Sequence, residues 1–178
     1  RYTAGASHPA LNHAFMVIMG LDHVDQFNDI VRHHEAGTVP PTVMWGACPT
    51  LFDPSQAPPG KHTMSCFVQY APYKLEPGKE WNDAEREAFG ENVIDTLEER
   101  FPDIRSKILH KMFITPKDIE DVTGLTEGNI FQGELSLEQL FLNRPVPGWA
   151  RYRTPMRDLW MCGSSVHPGG GIMGANGR

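Results

Sequence analysis

Apolar positions along the chain fall into a few rhythms. Phe15-Met-Val-Ile-Met19 is a short continuous apolar run and predicts a strand. Over residues 22–36 the spacing becomes helical, with Val24, Phe27 and Val31 on one stripe and Gly37 as the stop signal. Residues 42–46 and 63–70 read as strands. The link between them, Asp53-Pro-Ser-Gln-Ala-Pro-Pro-Gly60, is turn chemistry, which predicts an antiparallel pair with a long connection. The best helix covers 83–101. Asn82 caps it, Glu85 completes a capping box, and Phe89, Val93, Leu97 and Phe101 form the buried stripe before Pro102. Its remaining positions are acidic and read as a solvated face.

Residues 108–114 read as another strand. Thr115-Pro116 then opens a short helix that Gly124 closes. Ser136-Leu-Glu-Gln139 looks like a second capping box, for a short helix carrying Leu137, Leu140 and Phe141. Residues 143–155 are punctuated by Pro and Gly, 159–162 read as a short strand, and a glycine-rich turn follows. The fold class this predicts is α+β: a mixed or antiparallel sheet with helices on one face, followed by a C-terminal strand and glycine turn.

Composition narrows the function classes. The chain has 178 residues, 40% hydrophobic and 21% charged, which is ordinary globular usage. A net charge of −6 and a pI near 5.7 argue against a nucleic-acid partner. The longest apolar run, 14–21, falls short of the roughly 20 residues a membrane-crossing helix needs. No signal peptide is expected, and a first residue of Arg1 predicts a piece of a longer polypeptide or a processed form. Cys48, Cys66 and Cys162 are odd in number and widely spaced. They make neither a disulfide framework nor a zinc ribbon, so a cytoplasmic or other reducing compartment is expected, with peripheral membrane contact left open. Five of the eight histidines (His8, His13, His23, His33 and His34) precede residue 35 without metal-ligand spacing, so no metal site is expected.

The densest chemistry lies at the end: Cys162-Gly-Ser-Ser-Val-His-Pro-Gly-Gly-Gly-Ile-Met-Gly174. Glycines allow close backbone approach to a ligand, and a helix beginning near Gly171 would offer free amides to an anion or carbonyl oxygen. The literal G-x-G-x-x-G from Gly169 to Gly174 is not a dinucleotide fingerprint, because no βαβ unit follows it. His167 either lines a site, acts in proton transfer or braces the turn. Arg144, Arg151, Arg153 and Arg157 would neutralise a phosphate or an acidic substrate, or form a solvated loop with local ion pairs. Asn129, Phe131 and Gln132 either face a cavity or belong to a plain loop. Cys162 is expected to be a buried, inert thiol.

This C-terminal segment, starting from Leu159, resembles the flavin segment of the phytoene desaturase-like FAD oxidoreductases, which are related to the amine oxidases. The resemblance points most closely to the branch of pyridine nucleotide-disulphide oxidoreductase domain proteins. Four further stretches resemble it in order: Asp53 to His62, Phe67-Val-Gln-Tyr-Ala-Pro72, Gly124-Leu-Thr-Glu-Gly-Asn-Ile-Phe-Gln-Gly133 and Arg144 to Pro155. The resemblance implies an FAD-dependent oxidation or desaturation of an apolar small molecule. It places Gly163 and Ser164 near the ribityl-pyrophosphate, Gly169, Gly170, Gly171, Ile172 and Met173 near the flavin ring, and His167 beside it. Related amine oxidases carry an acid where Ser164 stands. On this reading residues 1–146 are a portion of the substrate-binding domain, and 147–178 a truncated flavin-contacting segment of an incomplete FAD-binding domain. The N-terminal dinucleotide-binding half would be a missing partner, and the isolated chain would be inactive and hold no FAD tightly. The contrasting expectation is a stand-alone interaction module without flavin. Homo-oligomerisation, for example through the Phe67–Tyr70 strand edge, is left open.

Overall fold

The computed structural model describes residues 8–133, 136–170 and 174–175. The chain divides into two compact units, residues 1–115 and 116–178.

The first unit is built on a three-stranded antiparallel sheet in the order β1-β2-β3, with β1 Met16–Met19, β2 Val43–Ala47 and β3 Ser65–Gln69. Register pairs Met19 with Met44, and Val43 with Gln69. Alternation sends Met19, Met44 and Val68 to one face and Ile18, Trp45 and Phe67 to the other. The 48–64 connection is held by short turns. Asp53 accepts hydrogen bonds from the Ser55 N–H (3.1 Å), the Ser55 hydroxyl (2.5 Å) and the Gln56 side-chain amide (3.0 Å). These donors, Ser55 foremost, hold its carboxyl below the usual range.

Helix α1 runs Gln26–Ala36 and ends at Gly37, which takes the left-handed conformation at φ 71° that a side chain would strain. It starts later than the periodicity predicts. The Gln26 side chain accepts from the Asp22 and His23 amides (2.8 and 2.7 Å), so residues 22–25 form a turn ahead of the helix. The Val24, Phe27 and Val31 stripe is exposed, and Ile30 is the buried position.

Helix α2, Asp83–Arg100, matches its sequence signature. The Asn82 side chain caps it by accepting from the Glu85 amide at 3.0 Å. Phe89, Val93, Leu97 and Phe101 are buried together with Met19, Met44 and Ile104 in one cluster. The helix therefore covers the Met19–Met44 face of the sheet. Trp81 closes the edge, its ring 5.7 Å from Phe89 and its N–H donating to the Pro72 carbonyl at 3.0 Å. The acidic face of α2 is not simply solvated. Arg105, in the one-turn helix α3 Ile104–Lys107, bridges Glu91, Asp95 (2.6 Å) and Glu98 (3.1 Å), and Lys111 bridges Glu87 (3.1 Å) and Glu91 (2.5 Å).

Residues 108–114 form no strand, which corrects that expectation: among the described residues no neighbouring strand offers them a ladder. Phe113 instead lays its ring against Gly90 of α2.

The second unit is loop-rich. Helix α4 runs Pro116–Thr123 and stops at Gly124. The 136–139 capping-box signature yields only single 3-10 turns at Leu137–Gln139 and Phe141–Asn143, with Leu137 and Phe141 exposed. Residues 159–162 likewise form no strand; a lone bridge joins Arg153 and Trp160. Cys162 is exposed, not buried, because the apolar run that suggested a core strand has nothing packed over it. The architecture is α+β with an antiparallel sheet. Among the described residues no helix is long and apolar enough to cross a membrane.

Candidate functional site

The glycine turn at 163–170 is held from below by a single side chain. Arg144 is 2% exposed, yet it carries a charge and lies within a stretch that reads as loop. Its Nε donates to the Ser165 carbonyl at 3.2 Å, and its Nη2 donates to the Phe131 and Gln132 carbonyls at 3.1 and 2.9 Å. Among the described residues its Nη1 is buried without a partner. This corrects the solvated-loop reading at Arg144. The other three arginines keep to it or to surface stacking: Arg157 pairs with Asp158 at 3.4 Å in the open, and Arg153 lies 6.0 Å from the Trp160 ring.

The 128–133 loop is the turn's second support. The Asn129 side chain accepts from the Phe131 amide (2.9 Å) and donates to the Gly133 carbonyl (3.2 Å), which shapes the loop from within. Phe131 packs on Gly170, where an added Cβ would lie 2.9 Å from a ring carbon. Glycine is required at 170 by this close approach. Ser165 donates its hydroxyl to the Gln132 side-chain oxygen. Phe131 and Gln132 thus touch the glycine turn, and the sequence carries no signal for either contact.

The structure describes five of the eight expected cofactor residues. Gly163 is exposed with φ 107°, and no described residue lies within 4 Å of where its Cβ would be. Ser164 is half-buried, Gly169 is buried and Gly170 is half-buried. His167 places Nδ1 2.6 Å from the Phe141 carbonyl. A carbonyl only accepts, so Nδ1 carries a proton, and in the neutral tautomer that leaves the accepting lone pair on Nε2. The Tyr152 ring lies 6.4 Å from the His167 ring. Gly171, Ile172 and Met173, and the helix expected near Gly171, lie outside the described residues.

Beside the turn is an apolar cavity of about 180 Å³ lined by Pro145, Val146, Trp149, Tyr152, Met161 and Val166. Among the described residues no group of three or more His, Cys, Asp or Glu is placed to hold a metal. The residues present fit a ligand rich in anionic and carbonyl oxygens. They combine the buried Arg144 guanidinium, whose Nη1 has no acceptor among the described residues, with an exposed glycine at 163, while Gly170 is already covered by Phe131.

Fold and site together are those of an α+β chain carrying a glycine-rich turn held by a buried arginine, and comparison with known proteins gives that class its kin. No family model matches the chain. It is homologous to pyridine nucleotide-disulfide oxidoreductase domain-containing protein 2 of Mus musculus, at 46% identity over 130 residues, 73% of this chain and 22% of that protein. The 4,4'-diapolycopen-4-al dehydrogenase of Metabacillus indicus is 37% identical over 125 residues, 70% of this chain and 23% of that protein. A limonene dehydrogenase component of Castellaniella defragrans is 29% identical over 187 aligned residues, 97% of this chain and 32% of that protein. Phytoene and diapophytoene desaturases match at 28–30%. The resemblance to the phytoene desaturase-like oxidoreductases is therefore one of homology. Identity is higher to the pyridine nucleotide-disulfide oxidoreductase domain-containing branch than to these dehydrogenases and desaturases. The chain spans between about a fifth and a third of the length of these curated relatives.

Proposed function

We propose that this chain is the C-terminal part of an FAD-dependent oxidoreductase or desaturase acting on an apolar small molecule. The observation that carries the reading is the 46%-identical run of 130 residues, together with relatives named as dehydrogenases and desaturases of limonene, phytoene and diapolycopenal-type compounds. The 180 Å³ cavity with its apolar walls supports an apolar substrate. Residues 1–146 would contribute the substrate-binding portion and 147–178 the flavin contacts. A dinucleotide-binding half from the rest of the protein would hold the remainder of the cofactor.

When bound, FAD supplies the two-electron acceptor. Gly163 and Ser164 would meet the ribityl-pyrophosphate part. Gly169, Gly170, Gly171, Ile172 and Met173 would meet the ring, where the absence of side chains on the glycines lets backbone donors come close. His167, with a free Nε2, is the side chain suited to receive a proton at this edge. The isolated 178-residue chain, with only one of two cofactor-holding parts, would bind FAD weakly and turn nothing over.

The test is the absorption spectrum of the native-length protein purified from its source, beside that of the 178-residue chain incubated with FAD. Flavin bands in the first and not the second support the reading. A native-length protein with no flavin overturns it and favours an interaction module. The cross-strand row of exposed Ile18 and Trp45 and half-buried Phe67, on the sheet face opposite α2, would then be the surface to examine.

A further inference from the structure

We infer that Arg144 is the positioning residue of the 163–170 turn, and that the charge it buries there adapts the turn to an anionic oxygen of the cofactor. This rests on the flavin reading above. One guanidinium joins two segments more than thirty residues apart, taking the Phe131 and Gln132 carbonyls on one side and the Ser165 carbonyl on the other. Among the described residues it pairs with no carboxylate, and its Nη1 is a buried donor without an acceptor. A buried cation balanced only by carbonyl dipoles is costly to keep. A buried orphan donor in a folded protein calls for a reason beyond packing.

The arrangement has two consequences for a ligand. The Ser165 carbonyl of the turn is drawn onto the guanidinium, so its negative dipole end is engaged there rather than facing anything resting on the turn, while the Phe131 and Gln132 carbonyls tie the neighbouring loop to the same charge. The charge itself sits in a low-dielectric setting, where its potential reaches several ångströms with little screening. Both favour a negatively charged oxygen at the turn's surface. In FAD that chemistry has two sources: the pyrophosphate, and the pyrimidine edge of the reduced ring. Arg144 acts on either through the turn rather than by touching it. The planar fork is what lets one residue hold all three carbonyls, and lysine has no such fork.

The experiment uses the native-length protein with Arg144→Gln, which removes the charge, and Arg144→Lys, which keeps the charge and loses the fork. The readouts are the melting temperature of the flavin-free protein, the FAD dissociation constant and the flavin midpoint potential. Arg144→Gln is expected to weaken FAD binding by about tenfold, the order given by removing a unit charge about 10 Å from an anionic oxygen in a protein interior. Arg144→Lys is expected to weaken it as well, through loss of the fork. If the oxygen belongs to the reduced ring, the potential falls in Arg144→Gln and is restored in Arg144→Lys. If it belongs to the pyrophosphate, the potential stays constant, and riboflavin, which lacks phosphate, binds variant and unsubstituted protein alike.

A folded Arg144→Gln protein with unchanged FAD affinity and unchanged potential, differing only in melting temperature, overturns the inference and leaves Arg144 as scaffold. Should that variant not fold, a folded Arg144→Lys protein with unchanged FAD affinity overturns it equally. An unsubstituted protein that holds no flavin overturns the functional reading, and this inference with it.

Discussion

Replacing Gly90 with alanine sets two effects of known size against each other. In the interior of an exposed helix, Gly→Ala stabilises by about 1 kcal/mol. Gly90 lies in the middle of α2, but the ring of Phe113 rests on it. An added Cβ would stand 2.0, 2.2 and 2.3 Å from three ring carbons. Carbon atoms in good contact are about 3.5–4.0 Å apart, so an overlap this deep displaces the ring rather than nudging it. Overpacking of this kind costs about 1–3 kcal/mol, so the net effect of Gly90→Ala is a destabilisation of about 0–2 kcal/mol. In a Phe113→Ala background the obstruction is gone, and the same substitution stabilises by up to about 1 kcal/mol. The assay is a four-corner cycle of urea denaturation followed by circular dichroism at 222 nm, compared at a common m-value. The expected coupling is about 1–3 kcal/mol, which is the overpacking cost itself. If Gly90→Ala has the same sign and size in both backgrounds, Phe113 does not sit on Gly90 and the packing argument fails.

Other outcomes follow from the same structure. Asn82→Ala removes the acceptor for the Glu85 amide and lowers stability by about 0.5–2 kcal/mol, read from the same denaturation curves. Hydrogen bonds from Lys111 first, and then Arg105, hold the Glu91 carboxyl below its usual value of 4.5. A depressed native value means the unfolded chain takes up the proton more readily. The stabilisation is therefore present above that pH and lost as pH falls below it. A stability–pH profile should show this loss below about pH 4.5, with Glu91→Gln flattening it and 1 M salt weakening it, since the network is exposed to solvent. In the 178-residue chain an uncharged thiol reagent should modify Cys162 first, because it is exposed. Cys48 is buried, and burial pushes the Cys66 thiol up to about 11, so both should wait for unfolding; mass spectrometry of partially labelled protein reads the order.

The features legible in the sequence share one physical trait: their causes lie within a few residues. Helix α2 is capped by Asn82 and carries an i, i+4 stripe, and both act inside the helix itself, so its bounds and buried face are readable before any fold is known. Gly37 stops α1 by a local backbone conformation. The pairing of residues 43–47 with 65–69 is non-local, but the two apolar runs and the Pro/Gly-rich link constrain it enough to be read. The glycine turn and the oxidoreductase resemblance were legible because they are strings of residues in order.

What only the tertiary structure decided depends on a partner far along the chain. A strand exists when another strand completes its hydrogen bonds, and residues 108–114 and 159–162 are rich in apolar side chains without such a neighbour among the described residues. Which stripe of α1 is buried depends on what lies against it, so Ile30 goes in while Val24, Phe27 and Val31 stay out. The face of α2 reads as solvated until Arg105 and Lys111 are brought back onto it. Arg144 is the sharpest case. By composition an arginine between two proline- and glycine-rich stretches belongs in water. It is buried because three backbone carbonyls from positions 131, 132 and 165 converge on its guanidinium, and no pattern in the sequence states that they meet.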